Sequence, residues 1–192
     1  MVNVLQRTVL MKSLVVNLLG GPCAGKSTIR ADVFRCLKQQ GVNCEEVYEV
    51  AKKLSWTKRS GELFVQPYIF GKQLRDMAIL EGKVDVIITD SPLILCEFYN
   101  ELYCGDAYPS AFATLVIEQY RRMGGMSFFI ERVGEYIESG RNQTESEANE
   151  IGIKLRALLD RNSIDYTTMR GDIEAGPRIA ELVIAHLNTN KV

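Results

Sequence analysis

The chain has 192 residues, of which 46% are hydrophobic and 24% charged, and its formal net charge is −1. That is enough chain for one packed domain, with the residue usage of a globular protein rather than a disordered or fibrous one. The near-neutral balance and the lack of any basic block weigh against a protein that grips long nucleic acid, and no run approaches the ~18 apolar residues of a membrane span.

Residues 1–10 read as a flexible extension without the apolar core of a signal peptide, and residues 11–192 as a single domain. Leu14 to Leu19 is an apolar run and reads as a buried parallel strand. The eight residues that follow, Gly20-Gly21-Pro22-Cys23-Ala24-Gly25-Lys26-Ser27, fit G-x-x-x-x-G-K-[ST], a phosphate-binding loop. Ile29, Val33, Cys36 and Leu37 then recur at helical spacing, and Gly41 stops that helix. Strand, glycine loop and helix are the context the motif requires.

Cys44 to Tyr48 reads as a second strand, running into a turn of helix over Glu49 to Leu54. Residues 55–64 read as a surface loop. Gln66 to Leu80 reads as a helix with Ile69, Leu74 and Met77 toward the core. Val84 to Pro92 reads as a strand that Pro92 stops, followed by a helix over 93–104. Pro109 to Arg122 reads as a helix with Phe112, Leu115, Val116 and Tyr120 on one face, and Met126 to Ile130 as a fourth strand. Residues 131–143 are polar and read as a loop, with Thr144 to Glu147 matching a capping box that opens a helix carrying Ile151, Leu155, Leu158 and Leu159. A short strand over Asp165 to Met169 and a helix from Pro177 to Leu187 close the chain. This alternation predicts an α/β fold: a five-stranded, doubly wound parallel sheet with helices on both faces and a short lid over about 131–147.

A triphosphate needs many hydrogen-bond donors and a positive field. Glycines let backbone N–H groups turn inward, and the helix opening near Lys26 adds its dipole. The nucleotide-binding set is therefore Gly20, Gly21, Pro22, Cys23, Ala24, Gly25, Lys26, Ser27 and Thr28, with ATP and Mg2+ as the implied cofactors. Lys26, expected to face solvent, can reach the β- and γ-phosphates, and the Ser27 hydroxyl can ligate Mg2+. Asp90 ends an apolar strand, where ligands bind in open parallel sheets. Its carboxylate can hold Mg2+ or accept the proton of an attacking hydroxyl, unless it is simply a helix cap. Arg141, after Gly140 and before the capped helix, suits a lid arginine that closes on the γ-phosphate, and Arg132 sits at the near edge of the same segment; the bland alternative is a solvated loop. Glu49 and Lys52 lie where an acceptor would enter, and Gln66 and Gln73 share a helix face from which they could bond a sugar or base. For Trp56, Tyr99 and Tyr103, packing is the simpler role than stacking on a ligand.

The five cysteines (23, 36, 44, 96 and 104) form no CxxC pair, and the single histidine, His186, is far along the chain. Reduced thiols in a cytoplasmic protein are expected, with no zinc site. The sequence leaves oligomeric state open, a dimer included.

Gly20 to Ser27, Glu49-Val50-Ala51-Lys52, Gly71-Lys72-Gln73, Thr89-Asp90-Ser91 and Gly140-Arg141 occur in an order that resembles the P-loop kinases related to the ribosylnicotinamide kinase domain of the bacterial NadR protein. Small stand-alone members of this AAA-type group are common in bacteria and large phages. The resemblance spans nearly the whole chain. It implies a nucleoside or nucleotide kinase, with the Asp90 strand beside the phosphate-loop strand, Lys26 and Ser27 on phosphate and Mg2+, Asp90 as the metal or base carboxylate and Arg141 as the lid arginine. It also implies the cytoplasm of a bacterium or phage-infected host. The sequence departs from these relatives at Lys52, where they tend to have arginine, and at Pro92, and it carries no adenylyltransferase domain.

The reading is an ATP-dependent kinase that phosphorylates a hydroxyl or phosphate of a nucleoside- or nucleotide-type small molecule. The alternatives are a kinase acting on a nucleic-acid end or modified DNA base, and a regulatory nucleotide switch with no small-molecule acceptor.

Overall fold

The computed structural model describes residues 12–57, 60–134, 136 and 144–189. Five parallel strands form one sheet: β1 (Leu14–Leu19), β2 (Cys44–Val47), β3 (Val86–Thr89), β4 (Met126–Glu131) and β5 (Thr167–Arg170), in the order β2-β3-β1-β4-β5. β1 lies between β3, where Asn17 pairs with Thr89, and β4, where Leu19 pairs with Phe129. β3, directly followed by Asp90, therefore neighbours the strand that feeds the glycine loop.

The apolar run of β1 is buried on both faces because helices cover both. On one face Val16, Leu18, Ile88, Phe128 and Ile130 pack with Ile29, Val33 and Leu37 of α1 (Lys26–Gln39) and Ile179 and Val183 of α7 (Ala175–Thr189). On the other face Val15, Leu19, Ile87 and Phe129 meet α3 (Gln66–Leu80), α4 (Ile94–Tyr99), α5 (Ser110–Met123) and α6 (Glu145–Arg161) through Ile69, Met77, Ile94, Phe112, Val116, Leu155 and Leu158. Successive strand residues serve opposite cores, as the pleat dictates. The capping box forms: the Thr144 hydroxyl accepts from the Glu147 N–H, and the Glu147 carboxylate accepts from the Thr144 N–H at 2.7 Å. The bond from the Thr144 N–H, with a second from the Thr144 hydroxyl to the same oxygen at 3.1 Å, holds the Glu147 carboxyl below its ordinary range.

Several elements differ from the sequence reading. β3 stops at Thr89, so Asp90 follows the strand instead of ending it. The span 55–64 is not all loop: α2 (Val50–Trp56) runs into it, and Ser60–Phe64 is a 3-10 turn. The helix expected over 93–104 is α4 followed by a π turn at Asn100–Cys104 and a 3-10 turn at Gly105–Ala107. On α5, Leu115 is exposed while Phe112, Val116 and Tyr120 are buried, because the apolar stripe is narrower than the count of apolar residues implied. The expected extension at 1–10 and residues 135 and 137–143 of the expected lid lie outside the described residues.

Within α4 and the turn after it, Glu97 is buried and accepts from the Asn100 amide at 3.3 Å. Burial pushes its carboxyl up to about 7, against the opposing Asn100 bond. All five cysteines are free; burial raises Cys44 to about 11 and Cys96 to about 12, which makes them poor nucleophiles. Among the described residues no helix is long and apolar enough to cross a membrane.

Candidate phosphate-binding and catalytic site

The loop between β1 and α1 is packed closely against neighbouring backbone. Gly20 has φ 143°, and a Cβ there would sit 2.6 Å from the Ile130 carbonyl; one at Gly21 would sit 2.9 Å from the Ala148 carbonyl. Cys23 and Gly25 also have positive φ, 61° and 82°. Gly25 caps α1 in the left-handed conformation without a side-chain oxygen, and the helix ladder begins with Ile29 N–H to the Gly25 carbonyl at 2.9 Å. The result is a helix N-terminus unshielded by a capping side chain, facing a loop whose glycines give its N–H groups room to converge.

Lys26 is not directed to solvent, as the sequence reading expected. Its Nζ donates to the carbonyls of Gly20 at 2.8 Å and Gly21 at 2.9 Å, which seats the cation over the loop. Ser27 and Thr28 follow on the first turn of α1, half-buried and exposed.

Asp90 is 2% exposed. It is not the cap of α4, whose N-cap position is Leu93. Instead its Oδ1 accepts from Nη1 of Arg30 at 2.7 Å, while Nε of Arg30 donates to Glu46 Oε1 of β2, also at 2.7 Å. The Arg30 guanidinium lies 4.3 Å from the centroid of the Tyr48 ring, and the Tyr48 hydroxyl donates to the other oxygen of Glu46 at 3.2 Å. Burial works against the guanidinium, but the Glu46 bond and the charge of Asp90 outweigh it and hold Arg30 above its ordinary value. Arg30 and Glu46 were missed in the sequence. The signal was there: Arg30 sits among Ile29, Val33 and Leu37 on an apolar helix face, and a buried arginine needs carboxylate partners.

Arg132 follows β4. Its Nη2 donates to Glu145 Oε1 and Asn149 Oδ1, both at 2.8 Å, so it is tied to the start of α6; its Nη1 is buried with no hydrogen-bond partner among the described residues. Beside it, Gly21, Pro22, Phe129, Asn149, Gly152 and Arg156 help line a cavity of about 380 Å3 next to the loop. Arg141 lies outside the described residues.

The acceptor-side candidates separate. Gln73 is buried and donates from Nε2 to Thr89 Oγ1 at 3.3 Å, one residue from Asp90, while its Oε1 has no partner among the described residues. Gln66 is also buried, but its amide donates to the Leu63 carbonyl at 2.7 Å and closes the turn into α3. Glu49 is half-buried near Tyr99, whose hydroxyl is pushed up first by burial and then by the Glu49 charge. Lys52 is exposed on α2. Tyr99 stacks on Tyr103, centroids 5.9 Å apart, whereas Trp56 is 78% exposed at the end of α2. His186 is exposed on α7, apart from these residues.

The residues present fit MgATP. Gly20 and Gly21 let the loop lie against the backbone of Ile130 and Ala148, where a Cβ would clash, and Ser27 and Asp90 offer hard oxygen ligands of the kind Mg2+ prefers. Among the described residues no group of three or more His, Cys, Asp or Glu could hold a metal alone. Such a donor set suits an ion that completes its shell with phosphate oxygens.

A family model described as an AAA domain matches residues 15–175. Among solved structures, the fold is similar to that in a crystal structure of the NadR protein in complex with NR, with 16% identity and a TM-score of 0.57. That match covers 94% of this chain and 52% of the other, so the chain spans about half the length of that protein. At such identity the likeness is one of fold. No curated protein matches the chain.

Proposed function

The chain belongs to the AAA domain family, and from that premise we propose that it is an ATP-dependent phosphotransferase acting on a hydroxyl or phosphate of a nucleoside- or nucleotide-type small molecule. The observation that carries this reading is the juxtaposition of two strand ends. β1 delivers the phosphate loop, and β3, paired with it up to Asn17 and Thr89, delivers the buried Asp90 at the same edge of the sheet. A loop alone binds nucleotide; a loop with an adjacent, oriented carboxylate can also do chemistry on it.

In this reading the loop N–H groups and Lys26 hold the phosphates, and Lys26 exchanges loop carbonyls for phosphate oxygens. Ser27 and Asp90 would hold Mg2+, which when bound supplies neutralisation of phosphate charge. The acceptor oxygen attacks the γ-phosphorus, the bond to the β–γ bridging oxygen breaks, and ADP leaves. Where the acceptor is a hydroxyl, its proton passes to Asp90 or to solvent. Arg141, with Arg132 beside the loop, supplies positive charge to the transferring group. Glu49, Lys52 and Gln73 line the acceptor side, and the resemblance to the NadR crystal structure with NR adds a ribonucleoside to the acceptors worth testing.

The test is an ATP-consumption screen over nucleosides, nucleoside monophosphates and nicotinamide riboside, with product masses recorded. One acceptor gaining the mass of a phosphoryl group as ADP forms is the expected result. Slow hydrolysis unaffected by any acceptor would replace this reading with a nucleotide switch.

A further inference from the structure

Arg30 is 8% exposed and lies one helical turn after Lys26 on α1. Its three partners come from two places in the chain: Glu46 in β2 with Tyr48 just after it, and Asp90 after β3. Burying a guanidinium is expensive, and apolar residues of similar volume commonly stabilise a core as well or better. What a buried arginine adds is geometry. Nε and Nη1 are fixed in one plane, so the Glu46 bond sets that plane and the Asp90 bond then sets the carboxylate. The same helix carries Ser27 in its first turn. The guanidinium is therefore a rigid tie between the helix bearing the hydroxyl ligand and the carboxylate on the neighbouring strand.

We propose that Arg30 is a positioning residue for the phosphotransfer site: anchored by Glu46, it holds the Asp90 carboxylate in one orientation relative to Ser27, so that the two can share one Mg2+ of a bound nucleotide. The inference rests on the reading of Asp90 as part of the MgATP site. It assigns a role to the outer layer of that site, where lost contacts commonly lower metal affinity 10- to 100-fold.

The experiment is calorimetric titration of ATP into the full chain with and without Mg2+, read as the Kd without Mg2+ divided by the Kd with it, with Tm recorded for each variant. Arg30→Gln is expected to lower that ratio about tenfold or more while the Mg2+-free Kd stays within about threefold. Arg30→Lys keeps the charge but has a single nitrogen, so it is expected to show most of the same loss; it also serves if Arg30→Gln does not fold. The double variant Arg30→Gln/Asp90→Asn is expected to lose no more than Asp90→Asn alone, because Arg30 acts through Asp90. Losses that add in the double variant would overturn the proposal. So would a Tm drop in Arg30→Gln and Arg30→Lys with the ratio unchanged, which would make Arg30 a purely structural tie. Wild-type protein that binds ATP with no Mg2+ effect would overturn the MgATP reading itself, and is seen before any variant is made.

Discussion

The Nζ of Lys26 lies 2.8 Å from the carbonyl oxygen of Gly20. The cation thus ties the loop together, and under the proposed function it also holds the phosphates, so its removal carries two consequences. Lys26→Ala is expected to lower turnover at least about a hundredfold, the scale of a lost transition-state charge contact. It is also expected to cost about 1–2 kcal/mol of stability, since two loop hydrogen bonds go with it. Steady-state rates and thermal melts check both; activity within about threefold of wild type would remove the loop from the mechanism.

Asp90→Asn tests the neighbouring carboxylate. Because Asp90 is paired with Arg30 and does not cap α4, the amide leaves a buried cation half-compensated. The expected result is a rate loss of at least about a hundredfold together with a stability loss of about 2 kcal/mol, the worth of a charged hydrogen bond. A stability loss with the rate intact would show that the ion pair is structural only.

Glu97 gives the protein a pH dependence that owes nothing to nucleotide. Its folded-state value of about 7 lies above the ordinary 4.5, so between those values the folded chain binds the extra proton. The stabilisation is fully present below pH 4.5 and is lost as pH rises through about 7. Glu97→Gln, which cannot ionise, is expected to match wild type near pH 4.5 and to exceed it by roughly 2 kcal/mol at pH 8. Urea melts of both proteins across that range check the sign; equal curves at every pH would show that Glu97 titrates normally.

Of the two candidate arginines only Arg132 lies among the described residues. Nη2 of Arg132 is committed to Glu145 and Asn149, leaving only Nη1 without a partner among the described residues. Arg141→Ala is therefore expected to carry the larger catalytic effect, cutting kcat roughly a thousandfold with the ATP Kd within about fivefold, the mark of a contact made only in the transition state. Single-turnover rates beside equilibrium binding separate the two quantities. A rate-only loss in Arg132→Ala and none in Arg141→Ala would transfer the role to Arg132.

The legible parts of this protein were those encoded locally. The glycine loop after an apolar run, the capping box at Thr144 and the alternating strands and helices each sit within a few adjacent residues, and each is found in the fold. The helix limits around residue 100 were not legible, because a π turn at Asn100–Cys104 keeps helical periodicity while changing the hydrogen-bond ladder. The Arg30 pair joins residues from different elements: helical spacing marks Arg30 as buried and in need of carboxylates but does not say that Glu46 and Asp90 are the ones it meets. Leu115 misled for the opposite reason: it is apolar and helical, yet it faces outward.

The order of the sheet bears on how the protein comes to exist as well as on how it works. β1 hydrogen-bonds to no strand that is near it in sequence: Leu14 pairs with Val86, and Val16 with Met126. Both long loops must close before the glycine loop has walls on either side, an entropic barrier that slows folding of such topologies. A ribosome-bound fragment ending before β4 would hold every residue of the phosphate motif without a Phe128–Ile130 segment to seat it. Affinity for nucleotide should therefore emerge late in synthesis and all at once.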